Sequence, residues 1–99
     1  MVLCSIVKAE LLFGARASGR VAENLRSLAK LFEHFPSLPF DDEAATRYGE
    51  LRAELRREGT PIGPNDMLIA AIALVHSAAI VTRNVREFER VPELEVVRW

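Results

Sequence analysis

The chain has 99 residues, 49% apolar and 27% charged, with thirteen basic side chains against fourteen acidic ones and a formal net charge of −1. That length and balance suit one globular domain over residues 1–99. They exclude a polycationic nucleic-acid coat, an acidic tail and a charged disordered linker, so any attraction to RNA or DNA has to come from local arginine clusters.

Met1-Val2-Leu3-Cys4 is apolar from the first residue and reads as a strand. Ser5 is expected to cap a helix running to about Ala17, with Gly14 and Gly19 weakening its end. A second helix is expected from about Arg20 to Phe35. Its apolar residues Val21, Leu25, Leu28, Phe32 and Phe35 recur at steps of four and three, one helical stripe, and Pro36 stops it. Leu38-Pro39-Phe40 reads as a short extended segment at a sheet edge, because Pro39 has no N–H to donate. Asp41 or Asp42 caps a third helix that ends before Gly59, with Ala44, Tyr48, Leu51 and Leu55 as its buried stripe. Its other face carries Arg47, Glu50, Arg52, Glu54, Arg56, Arg57 and Glu58, a pattern expected of a solvated surface.

Thr60-Pro61-Ile62-Gly63-Pro64 is a rigid turn, and Asn65 or Asp66 is expected to start a fourth helix from Met67 to about His76. This helix is apolar nearly all round and so should be buried on several sides. Ala79-Ile80-Val81-Thr82 reads as a strand from the interior of a parallel sheet. A helical turn or loop follows over residues 84–89, and a last strand over residues 95–98. Strands alternating with helices predict an α/β fold with a parallel sheet covered by helices, and such sheets place their sites at the carboxyl ends of the strands.

The single cysteine, Cys4, has no partner in the chain and fits a reducing compartment. The longest apolar run, from Met67 to Val75, is far short of the ~20 residues that span a bilayer. No secretory leader pattern is read at the N-terminus, so a cytoplasmic location is expected.

Three acidic positions stand out. Glu10 lies on a helical face with Ile6, Val7, Phe13 and Gly14. Its expected burial calls for compensation by a metal ion, by hydrogen-bond donors or by a salt bridge to Arg16 or Arg83. Asp66 falls in the first turn of the most apolar helix, where it either caps that helix or, if Asn65 caps, points elsewhere. Asn84 and Glu87 follow the strand that ends at Thr82, and Glu87 reads either as a surface residue or as part of a site. Carboxylates from these places, gathered at one end of a sheet, repel one another unless a cation sits between them. Hard oxygen donors favour Mg²⁺ or Mn²⁺. His34 and His76 lie on different helices and do not suggest zinc.

These residues resemble a known family. Cys4-Ser5-Ile6-Val7-Lys8-Ala9-Glu10-Leu11, Gly14-Ala15, Leu38-Pro39-Phe40-Asp41, Ile62-Gly63-Pro64-Asn65-Asp66-Met67-Leu68-Ile69-Ala70-Ala71 and Ile80-Val81-Thr82-Arg83-Asn84-Val85-Arg86-Glu87-Phe88 are similar, in order, to PIN-domain ribonuclease toxins of the VapBC type. The resemblance implies a three-layer α/β/α sandwich around a parallel sheet, RNA cleavage dependent on Mg²⁺ or Mn²⁺, control by a cognate antitoxin, and a homodimer. It makes Glu10, Asp66 and Glu87 the catalytic and metal-binding residues, with Thr82 and Asn84 supporting the site and Arg83 and Arg86 meeting RNA phosphates.

The family pattern opens with a strand that carries the first acidic ligand, and no such segment is read here. The expectation is therefore a PIN-like domain without that strand, weakened in metal binding and with neighbouring apolar surface exposed. Two readings follow: a metal-dependent endoribonuclease toxin, or a catalytically impaired antitoxin-binding module or truncated remnant. In either, a groove lined by Leu11, Leu12, Leu25 and Phe32 would take an amphipathic antitoxin helix.

Overall fold

The computed structural model describes residues 3–82 and 84–98. The chain divides into two compact units, Met1–Pro39 and Phe40–Trp99. The nine elements occur in the expected order, with strands paired in parallel.

In the first unit, β1 (Leu3–Cys4) leads directly into α1 (Ser5–Arg16), and α2 (Val21–Glu33) is followed by β2 (Ser37–Leu38). β1 and β2 are parallel, with Leu3 opposite Ser37 and Cys4 opposite Leu38. Cys4, not Ser5, occupies the N-cap of α1, and no side chain caps it. The strand runs straight into the helix, so the hydroxyl of Ser5 is already inside the first turn and cannot reach forward to cap it. The stripe on α2 is as expected: Val21, Leu25, Leu28, Phe32 and Phe35 are all half-buried. Lys8 secures this unit by donating Nζ to the Phe35 carbonyl at 3.1 Å. The same ammonium lies 5.1 Å from the centre of the Phe32 ring, within cation–π range.

In the second unit, α3 (Asp42–Glu58) packs along α4 (Pro64–Val75). Asp41 caps α3 by accepting the Ala44 amide on Oδ1 at 3.0 Å. Gly59 closes it with φ +70°, the left-handed conformation that a Cβ disfavours. Ala44, Leu51 and Leu55 are buried and Tyr48 half-buried, with its ring edge-on to Phe40 at 6.0 Å between centres. Leu51 and Leu55 meet Ile62, Met67, Ala70, Ala73, Ile80, Phe88 and Val91 in one apolar core. β3 (Ile80–Thr82) pairs in parallel with β4 (Val96–Arg98), and the short α5 (Val85–Phe88) connects the end of β3 to the core through Phe88.

β3 is less enclosed than an interior strand would be: Ile80 is buried but Val81 is 51% exposed. Among the described residues β3 pairs with β4 alone, so it is not flanked on both edges as a strand in the interior of a parallel sheet is. No helix among the described residues is long and apolar enough to cross a membrane.

Candidate active site

The turn between α3 and α4 builds the site. Neither Asn65 nor Asp66 caps α4; Gly63 holds the N-cap and Pro64 the first helical position, where its missing N–H costs nothing. Asp66 is therefore the third helical residue, half-buried, in a turn whose partial positive charge favours a carboxylate.

Glu87 comes to the same turn from α5. The Gly63 amide donates to Glu87 Oε1 at 2.5 Å, across 24 residues of sequence. Asn84 Nδ2 donates to Glu87 Oε2 at 2.8 Å. The Asn84 amide in turn donates to Thr82 Oγ1 at 3.0 Å, so the hydroxyl at the tip of β3 fixes the turn that presents Glu87. A Cβ built on Gly63 would lie 3.4 Å from Glu87 Oε1 and 3.7 Å from Asp66 Oδ2. Both carboxylates thus face one point, and a Cβ there would meet them at ordinary van der Waals distance. Gly63 has φ −57°, open to any residue, and what it gives the site is its backbone amide.

The Gly63 amide, and next the Asn84 side chain, hold the Glu87 carboxyl below its ordinary value; burial opposes them, and an Asp66 hydrogen bond and the Arg90 charge add to the lowering. A lowered folded value stabilises the fold fully above the ordinary value of 4.5 and less as pH falls through the folded value. In metal-free buffer, Glu87→Gln is expected to melt below the parent at pH 7, and the gap should close toward pH 3. A gap independent of pH would show that the Glu87 charge is not what the turn holds.

The structure thus brings Asp66, Thr82, Asn84 and Glu87 together around one turn of the second unit. Glu87 is half-buried and held at both oxygens, not a free surface side chain. Gly63 and Arg90 were not singled out. The sequence signal for Gly63 was its place three residues before Asp66; its bond to Glu87 has no local trace. Arg90 Nη1 donates to the Pro61 carbonyl at 3.0 Å and so ties α5 to the same turn.

Glu10 departs from expectation. It is exposed on α1, as are Phe13 and Gly14 of the face it shares, while Ile6 and Val7 are half-buried, so burial of Glu10 itself imposes no charge compensation. Leu11 and Leu12 are 39% and 40% exposed, while Leu25 and Phe32 are half-buried on the neighbouring α2. Arg86 is exposed on α5; Arg83 lies outside the described residues. Among the described residues of the second unit, no third carboxylate, imidazole or thiol joins Asp66 and Glu87.

The family model for the PIN domain matches residues 1–94. The chain is 39% identical over all its 99 residues to the tRNA(fMet)-specific endonuclease VapC of Salmonella typhimurium, covering 75% of that protein. It is 37% identical, again over its whole length, to ribonuclease VapC2 of Rickettsia felis, covering 74% of it. The crystal structure of DNA-bound VapBC from Salmonella typhimurium superimposes with a TM-score of 0.94 at 39% identity, over 100% of this chain and 75% of that one. The parallel strands, the helices joining them and these likenesses agree: the chain belongs to the PIN-domain family, in its VapC branch, and has that family's α/β fold.

Proposed function

We propose that the chain is a divalent-metal-dependent endoribonuclease, the toxin of a type II toxin–antitoxin pair acting in the cytoplasm. The observation that carries this reading is the convergence of Asp66 and Glu87 beside Gly63. Two relatives named as a tRNA-specific endonuclease and a ribonuclease support it.

The donor set fits a hard cation. Asp66 and Glu87 offer carboxylate oxygens, and two carboxyl groups in hydrogen-bond contact concentrate negative charge that a proton or a cation has to balance. When bound, Mg²⁺ or Mn²⁺ supplies Lewis acidity toward water and phosphate. Asp66 would hold it from the first turn of α4. Glu87 would do so from a side chain fixed by Gly63 and Asn84, with Thr82 fixing Asn84. Glu10 keeps the ligand role that the family resemblance gives it. Arg83 and Arg86 are assigned to RNA phosphates on the same ground.

The purified chain should cleave RNA with Mg²⁺ or Mn²⁺ and not in EDTA. A folded chain inert with both metals would overturn the enzyme reading in favour of a catalytically impaired binding module.

The antitoxin is placed on the first unit, where Leu11 and Leu12 stand out from α1 beside Leu25 and Phe32 of α2. An amphipathic helix would cover them. Leu12→Asp with Phe32→Asp should weaken antitoxin binding at least about 100-fold, as expected when two apolar anchors are lost. Full binding by that variant would exclude the groove. A second copy of the chain is the other proposed partner, which the molecular mass in solution tests.

A further inference from the structure

The charged face of α3 is largely exposed, as expected, and two of its arginines border a cleft. Arg52 and Arg56 are one helical turn apart, a like-charge pair that weakens a helix unless something anionic lies against it. Neither forms an ion pair among the described residues, although the helix carries five glutamate and aspartate residues. Arg52 Nη1 donates instead to the Tyr48 hydroxyl at 3.1 Å, which fixes its direction. Both arginines rim a cleft of about 290 Å³ whose walls are Leu55, Pro61, Ile62, Pro64 and Met67. Apolar walls under two guanidinium groups suit a flat, largely apolar ring attached to an anion. The volume is at the small end for ligand sites (about 300–1,000 Å³), too small for a peptide helix and sufficient for one base.

The cleft also adjoins the carboxylates. Pro61, Ile62, Pro64 and Met67 line it, while Gly63 and Asp66, in the same turn, face Glu87. Arg90, bonded to the Pro61 carbonyl, adds a third positive charge to that turn. A chain of formal charge −1 thus gathers three arginines around one turn, the local cluster that binding a polyanion requires.

We propose that this cleft is a subsite for one unpaired nucleotide of the RNA strand next to the position cut, its base against the exposed rings of Pro61 and Pro64 and its phosphate on Arg52 and Arg56. The proposal rests on the ribonuclease reading and adds to it where the strand lies. Proteins hold single-stranded RNA by stacking its bases on aromatic rings or guanidinium planes and by pairing its phosphates with basic side chains; here the arginines supply the charge and two proline rings the apolar contact.

The test is binding of a labelled single-stranded RNA ten nucleotides long, across a range of salt, by the Asp66→Ala chain with and without Arg52→Ala and Arg56→Ala. Both arginines are exposed, so the added changes should leave the melting temperature unaltered. Binding is expected to weaken about tenfold or more, and the slope of log K against log salt to fall by about 0.7, the value for one lost phosphate contact. Arg52→Lys with Arg56→Lys should restore the slope. An abasic strand of the same length should bind the Asp66→Ala chain more weakly than the RNA. Unchanged affinity and slope in the alanine variant would overturn the subsite, and equal affinity for the abasic strand would overturn the placement of the base. Because binding is read without cleavage, a chain that fails to cut RNA would sink the ribonuclease reading while this comparison still decides the cleft.

Discussion

Asp66→Ala is expected to lower metal-dependent RNA cleavage by roughly a thousandfold or more. A metal ion's stabilisation of developing charge is worth several kcal/mol, and each 1.36 kcal/mol is tenfold in rate. Asp66 is the half-buried carboxylate of the α3–α4 turn and faces the same point as Glu87. Removing it leaves Glu87 pinned by Gly63 and Asn84 with no carboxylate opposite. Folding should change by only about 1–2 kcal/mol: Asp66 does not cap α4, so what is lost is its favourable place in the first turn and its hydrogen bond to Glu87. Asp66→Asn, similar in shape but uncharged, should fail as badly, since charge rather than size is what a cation requires. The measurement is the initial rate on a defined RNA in saturating Mg²⁺ or Mn²⁺, with thermal melts run in parallel. Parent-like cleavage by a folded Asp66→Ala chain would remove Asp66 from the site.

Leu55→Ala should cause the largest loss of stability. Leu55 is fully buried and packs with Leu51, Ile62, Met67, Ile80 and Phe88 in the core of the second unit. Truncating such a leucine costs about 2–5 kcal/mol, from lost transfer energy and from the cavity left behind. A chain of this size is stable by about 5–15 kcal/mol, so the loss is a large fraction of the whole. At about 4–8 °C per kcal/mol, the melting temperature should fall by at least about 8 °C. Arg57→Ala, exposed on the same helix, is the control and should stay within about 0.5 kcal/mol of the parent. Equal shifts in the two variants would show that α3 is not anchored through Leu55. Ile62 and Met67 also belong to the turn that carries Gly63 and Asp66, so the variant should lose cleavage at temperatures where the parent is still active.

Local pattern was enough to read most of the architecture. The stripes of α2 and α3, the Asp41 cap, the stop at Gly59 and the order of strands and helices depend on residues within a turn or two of one another, where periodicity and capping chemistry act. The same local rules misplaced the starts of α1 and α4. Ser5 and Asn65 are good capping residues, but a strand running straight into one helix and a Gly-Pro entry to the other moved the caps to Cys4 and Gly63. Apolar neighbours suggest burial for Glu10, yet it is exposed together with Phe13 and Gly14, and only Ile6 and Val7 on that face are half-buried; composition sets what a face prefers, and packing decides how much of it is covered.

The sequence by itself determined the family, the α/β order and the acidic residues worth testing, since each is written in residue type and spacing. Tertiary structure alone decided that Glu87 is gripped by the amide of Gly63, that Asp66 meets it there, and that Arg52 and Arg56 stand over a cleft made by the same turn. These are contacts between residues far apart along the chain, and hydrogen-bond reach and cavity shape exist only once the chain has folded.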